Sequence, residues 1–371
     1  MTSPLRLRPA VLAAALAGVV VALAPAGASA AGLQKLRTGP LPQDELANVK
    51  HFKDRVFPKA KARAAIAFAP EQPFTATDGT TIQIAVSPSY PAGPQTQAAT
   101  QSIANFLGTR VHGPELGELH VYIGKPDEIH QQCGGPDAVA CYYANEKRMY
   151  VPGEVDPKVP VPTEYVVTHE YGHHISAFRK NSLAPAFVIG PEYWATHEHI
   201  CAGSLSRPQK FFPGDQGEHY LDNPGEGWAD AYAHLPENGF PTFRFQFNPA
   251  FLPDEAAFVQ IRRDVLEPWP GQSSQTFRGR LGGRGSQVFR QTITLDGEVV
   301  ARLRGPSGSN YDLQVRVAGR TVDNRKKSGS RERSAGALCA PEGQSSVATL
   351  TYKVVRRAGA GPFTLSLRYP G

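Results

Sequence analysis

Residues 163–178, TEYVVTHEYGHHISAF, constrain this chain more than any other stretch. Pro162 precedes them, Thr163 can serve as an N-cap, and Glu164 falls in the first turn, where the helix dipole favours an acid. Val166 and Val167 ahead of the motif predict a partly buried helix. On that helix His169 and His173 are four residues apart and share one face. Two imidazoles so placed can both reach one zinc ion, at roughly 2.0–2.1 Å per bond. Glu170 then lies beside the ion's open position, where it can take a proton from water. Two histidines do not complete a site, so the fold must bring a third ligand to this face from elsewhere.

Three acids can supply it. The metzincin route, which needs His at 179 and Gly at 176, is closed by Arg179 and Ser176. Glu192 and Glu198 lie in the irregular stretch 181–222, whereas Glu226 opens a second helix that begins at Asn223-Pro224 and runs to about Leu235. Of the three, only Glu226 is followed four residues on by an acid, Asp230; Glu192 is followed by Thr196 and Glu198 by Ala202. An acid on that face can accept the Nδ1–H of a ligating histidine and fix its tautomer. Glu226 is therefore the expected third ligand and Asp230 its supporting acid. His174 projects about 100° round the helix and is not expected to bind the same ion. His197-Glu198-His199 lacks a further ligand cluster and reads as surface. A donor for the developing oxyanion is also required; His219, Tyr220, Tyr193 and Tyr232 are candidates that the sequence does not rank.

The rest of the chain organises around these two helices. Residues 1–30 carry Arg6 and Arg8, an apolar run at 10–24 and a small-residue Ala28-Ser29-Ala30 site, the pattern of a secretory signal peptide. The apolar run is short of the roughly 20 residues of a membrane span. Residues 31–75 read as an N-terminal extension or propeptide. Strands are expected at 80–86, 118–124 and 140–151, and helices at 95–107 and near 254–266. From about 275 the texture changes to short alternating strands (287–293, 297–304, 311–318, 348–356, 362–369), which predicts an antiparallel β-sandwich. Charge divides at the same place: residues 272–371 hold 17 bases and 6 acids, net +11, against 20 bases and 27 acids, net −7, in 31–271. Such a basic unit suits anionic cell-envelope polymers, although a solvated arginine-rich face is the plainer reading. The four cysteines can pair in three ways. Cys133–Cys141 is the local choice, and Cys201–Cys339 would then tie the two halves together.

At the residues of the two helices the chain resembles the gluzincin branch of the zinc metallopeptidases, whose best-known members are thermolysin-like. The resemblance covers 163–178 and 223–235, with strand 140–151 fitting a small sheet over the HExxH helix. It implies Zn2+ held by His169, His173 and Glu226, Glu170 as general base, and Asp230 behind a ligating histidine. Glu226 follows His173 by 53 residues, a wider interval than in thermolysin, so thermolysin's specificity pockets do not carry over. Residues 181–222 are expected to shape the cleft instead. Segments around 310–315 and 361–367 are similar to bacterial pre-peptidase C-terminal domains, which are β-sandwiches appended to secreted peptidases. The expected fold class is α+β: a zincin-like catalytic domain over 76–271, then the sandwich over 275–371. The expected function is a secreted, monomeric zinc metallopeptidase acting on protein or peptide substrates. The alternatives are an envelope-binding protein that works through its basic sandwich, and a zinc amidase acting on a non-peptide amide.

Overall fold

The computed structural model describes residues 32–38, 53–58, 68–206, 209–241, 244–283, 285–340 and 348–371. The signal peptide expected over 1–30 and much of the extension expected over 31–75 lie outside these residues. The fold is α+β, with one mixed sheet and two antiparallel sheets.

The first sheet contains β1 (Val56–Phe57), β2 (Gln72–Thr75), β3 (Thr81–Val86), β4 (His120–Gly124), β5 (Cys141–Tyr143) and β6 (Arg148–Pro152), in the order β1-β5-β6-β4-β3-β2. β3, β4 and β6 are parallel; β5 runs antiparallel to β6, and β1 lies parallel to β5 along the edge. Alternation sorts the side chains. Ile82, Ile84, Val121, Ile123, Met149 and Val151 enter the main core. Tyr143 and Tyr150 join Phe57 and Ile129 on the other side. Residues 140–151 read from the sequence as one strand; they are instead β5 and β6, joined by a 3-10 turn at Ala144–Glu146 that closes at Lys147 with φ 54°. The apolar texture is the same on both sides of this tight turn, so periodicity does not reveal it.

Helices α1 (Pro94–Gly108) and α2 (Pro126–Cys133) precede the central helix α3 (Thr163–Ala177). α3 is buried on every side from Thr163 to Ser176, more deeply than the sequence suggested. Its N-cap is Pro162, and Thr163 is already the first helical residue, so the expected side-chain cap does not form. The stretch read as irregular holds three short helices, α4 (Ala186–Ile189), α5 (Glu192–His197) and α6 (Ile200–Ser206). Helix α7 (Pro224–Ala233) starts as its sequence dictates: Asn223 caps it by accepting from the Gly225 N–H at 3.0 Å. Helix α8 (Glu255–Leu266) is capped by Asp254, which accepts from the Ala257 N–H at 2.8 Å. No helix among the described residues is long and apolar enough to cross a membrane.

The approach of α7 to α3 depends on Gly172. A Cβ there would lie 2.9 Å from Ala229 Cα and 3.2 Å from Ala229 Cβ. The Trp228 indole N–H donates to the Gly172 carbonyl at 3.1 Å and fixes the crossing. Gly172→Ala gains about 1 kcal/mol of helix propensity. Overpacking against a neighbouring backbone is nevertheless expected to win and to destabilise the fold by roughly 2 kcal/mol net. Urea denaturation of the two proteins checks this.

From Ser273 the chain forms β7 (Ser273–Leu281), β8 (Ser286–Ile293), β9 (Gly297–Arg304), β10 (Asn310–Val317), β11 (Arg320–Arg325), β12 (Arg331–Leu338), β13 (Ala348–Ala358) and β14 (Gly361–Tyr369). They make two four-stranded antiparallel sheets, β11-β10-β13-β8 and β12-β9-β14-β7. One core between them holds Ile293, Leu303, Leu313, Val354, Phe363 and Leu365. Both disulfides form in the expected pairing, Cys133–Cys141 and Cys201–Cys339, each with Cα atoms 5.5 Å apart. Beside the second, Ser182 Oγ accepts from the Glu298 N–H at 2.8 Å and Thr196 Oγ1 from the Asp296 N–H at 3.1 Å, linking the helical body to the sheets.

Candidate metal centre

α3 and α7 bring three of the expected residues together, and a fourth joins them from the N-terminal segment. His169, His173, Glu226 and Asp54 each offer one ligand atom within 4.8 Å of the others, and all four are buried. The two Nε2 atoms are 3.2 Å apart. Glu226 Oε2 lies 3.4 Å from His169 Nε2 and 3.0 Å from His173 Nε2. Asp54 Oδ2 lies 3.6 Å and 3.1 Å from the same two atoms. An ion bonded tetrahedrally to four donors at roughly 2.0–2.1 Å spaces them about 3.3–3.4 Å apart. The five separations that involve a histidine, 3.0–3.6 Å, bracket that value, as expected for an ion held by nitrogen and oxygen ligands. Among the described residues this is the one cluster spaced to hold an ion.

The carboxylates are individually positioned. Glu226 Oε1 accepts from the Gln216 amide at 2.5 Å, which turns Oε2 to the histidines. Asp54 Oδ1 accepts from the Tyr220 hydroxyl. Burial acts to raise the Asp54 pKa, but His169 and His173 outweigh it and hold the carboxyl well below the usual range. Glu170 is fully buried on the same helix, beside the Asp54 carboxyl. Burial first, then the Asp54 and Glu226 charges, push it well above the usual carboxylate range. Burial also opposes the His173 charge, yet Glu226 and Asp54 prevail and raise its pKa from 6.5 to about 10.

Other candidates are placed elsewhere. Asp230 is buried on α7, but the ion-pair contact the structure gives it is His234 Nδ1 at 4.0 Å, not the expected ligating histidine. The i,i+4 spacing that put Asp230 on the Glu226 face also puts it four residues from His234, at the end of its own helix. Burial raises its pKa to about 7. Glu192 accepts from the Ser182 N–H at 2.9 Å, away from the cluster. Glu198 is likewise no member of it, and His197 pairs with Asp254 at 3.5 Å. His174 is a packed core histidine: Nε2 donates to the Glu115 carbonyl at 2.8 Å and Nδ1 takes the Tyr142 hydroxyl at 2.9 Å. Burial lowers its pKa to about 3, so it is neutral. Of the four candidate oxyanion donors, Tyr220 alone reaches the cluster. Tyr193 lies under the Arg263 guanidinium at 3.9 Å, His219 stacks on Phe212 with ring centroids 3.6 Å apart, and the Tyr232 hydroxyl donates to the Val111 carbonyl at 2.6 Å.

Sequence reasoning missed Asp54. It stands more than a hundred residues before His169, in a stretch without periodicity, and no motif marks it.

No family model and no curated protein matches the chain. Solved structures similar to part of it include the pre-peptidase C-terminal domain of a collagenase from Bacillus anthracis, at 12% identity and TM-score 0.22, over 25% of this chain and 88% of that one. Dimeric latent PorU from Porphyromonas gingivalis is similar at 8% identity and TM-score 0.17, over 28% of this chain and 13% of that one. The VP2 subviral particle of infectious bursal disease virus is similar at 12% identity and TM-score 0.17, over 28% and 34%.

Proposed function

We propose that this chain is a secreted zinc metallopeptidase of the gluzincin type that hydrolyses peptide bonds with Glu170 as general base. The observation that carries the reading is the convergence of His169, His173 and Glu226 at tetrahedral spacing, with Glu170 one residue from the first of them. Two disulfides fit an oxidising compartment.

Zinc held there supplies Lewis acidity, lowering the pKa of water towards about 7 and polarising the scissile carbonyl. The chain's own groups do the rest. Gln216 holds Glu226 by one oxygen and leaves the other to face the histidines. Glu170 accepts the proton of the attacking water and delivers it to the amine nitrogen as the C–N bond breaks. Tyr220, whose hydroxyl meets Asp54, is the available donor to the carbonyl oxygen as it takes up charge.

A catalytic zinc keeps one position for water, whereas Asp54 brings the protein donors to four. The test is therefore made on the zinc-loaded Asp54→Ala chain, assayed on unfolded casein. About one zinc per chain with hydrolysis supports a peptidase. In that background Tyr220→Phe is expected to lower kcat about 10²–10³-fold if its hydroxyl serves the oxyanion.

The four-donor set also favours a second reading, a binding protein with a structural metal, in which the net +11 of residues 272–371 engages an anionic envelope polymer. Zinc held firmly with no hydrolysis of casein or of a cell-wall amide would support it. Against it stands Glu170, a buried carboxylate for which a structural site has no use.

A further inference from the structure

The segment that carries Asp54 lies between two walls. One is the edge of the mixed sheet, where β1 pairs with β5. The Lys53 carbonyl accepts from the Val139 N–H at 2.8 Å and the Arg55 carbonyl from the Tyr142 N–H at 3.0 Å. The other is the 216–220 stretch: the Val56 N–H donates to Gln216 Oε1 at 3.1 Å, the Lys53 ammonium to the Gly217 carbonyl at 2.8 Å, and the Asp54 N–H to the Tyr220 hydroxyl at 3.2 Å. An extended backbone thus crosses the groove directly over the metal cluster, and its one inward acid supplies the fourth donor. Without β1, β5 would be an edge strand with unpaired backbone groups, the template on which extended peptides add as a strand. With it in place, His169, Glu170, His173 and Glu226 are all sealed from solvent.

We infer that residues 53–57 are a built-in plug, which occupies the groove for an extended polypeptide substrate and uses Asp54 to hold the metal position that water needs. This rests on the metallopeptidase reading above and adds its regulation: the intact chain is latent, and activity requires that the segment leave the groove. The plug mimics substrate twice, through strand addition to β5 and through an oxygen on the ion. Tyr220 is shared, binding Asp54 in the latent form and free to serve substrate once the segment departs.

The experiment uses the full chain loaded with Co(II), whose visible absorption reports its ligands, and acetohydroxamate as a small probe for an open metal position. Wild type, Asp54→Ala and the isosteric Asp54→Asn are compared. The expected result is that all three bind cobalt, that acetohydroxamate leaves the wild-type spectrum unchanged, and that it shifts the Asp54→Ala spectrum with at least 100-fold tighter binding. Asp54→Asn should fall between them, since a neutral amide oxygen is a weaker ligand. Equal response of wild type and Asp54→Ala to the probe would overturn the plug. So would loss of cobalt from both variants with wild type retaining it, because Asp54 would then be a structural ligand. If Asp54→Ala opens to the probe yet cleaves no casein, the plug stands and the peptidase reading fails. If wild type binds no cobalt, both fall.

Discussion

In the zinc-loaded Asp54→Ala chain, Glu170→Gln is expected to hold as much zinc as its parent and to hydrolyse casein about 10²–10⁴-fold more slowly, the range that a positioned general base contributes. Zinc should be retained because Glu170 is outside the donor set formed by His169, His173 and Glu226. Glutamine has the same shape, so the packing around this fully buried side chain is preserved. It cannot accept the proton of water, so the chemical step loses its base while the ion stays. Stability should change little, since the change replaces a fully buried ionisable group by a neutral one of the same shape. Zinc analysis, casein kinetics and thermal melting of the pair check all three statements. Undiminished hydrolysis would mean that another group takes the proton.

Metal removal should have the second large effect, and its sign depends on pH. Without an ion, Asp54 and Glu226 face two imidazoles in a site closed to water, and His173 carries the compensating charge. Its folded-state pKa of about 10 lies above the unfolded value near 6.5. The stability this contributes is fully present below about pH 6.5 and is lost as pH rises through about 10. The metal-free protein is therefore expected to melt at progressively lower temperature from pH 7 to pH 10. Zinc binds the neutral imidazole and displaces that proton, so its affinity should rise by about tenfold per pH unit over the same window. Zinc at a thousandfold over its Kd adds about 4 kcal/mol to the folded state. The zinc-loaded and metal-free melting curves should thus diverge as pH increases. Curves that stay parallel from pH 7 to pH 10 would show that His173 does not titrate against the metal.

What the sequence revealed about the site was what helical geometry fixes locally. His169 and His173 share a face because they are four apart, and Glu226 ranks above Glu192 and Glu198 in the sequence only because Asp230 follows it four residues on. The same i,i+4 argument misplaced Asp230, because a position on a helix face does not say which of two histidines it meets. Asp54 was illegible for a different reason. It reaches the cluster only because two residues of β1 add to the edge of β5, a long-range pairing with no periodic signal of its own. The sandwich could be read from alternation in β9, β10, β13 and β14, whose inward positions are largely apolar, and from Phe289 and Ile293 in β8. The polar strands β7 and β11, and β12 with its charged start at Arg331-Glu332-Arg333 and small residues at 334–337, gave too little contrast to be seen. The short helices α4 to α6 fall below the length at which a helical period can be recognised.

Zinc K-edge X-ray absorption of the zinc-loaded wild-type chain tests the central claim most directly. The account predicts about one zinc per chain, four-coordinate, with two imidazoles and carboxylate oxygens at roughly 2.0–2.1 Å, and loss of one imidazole or of the metal in His169→Ala. No bound zinc, or a shell without imidazole that His169→Ala leaves unchanged, would contradict it.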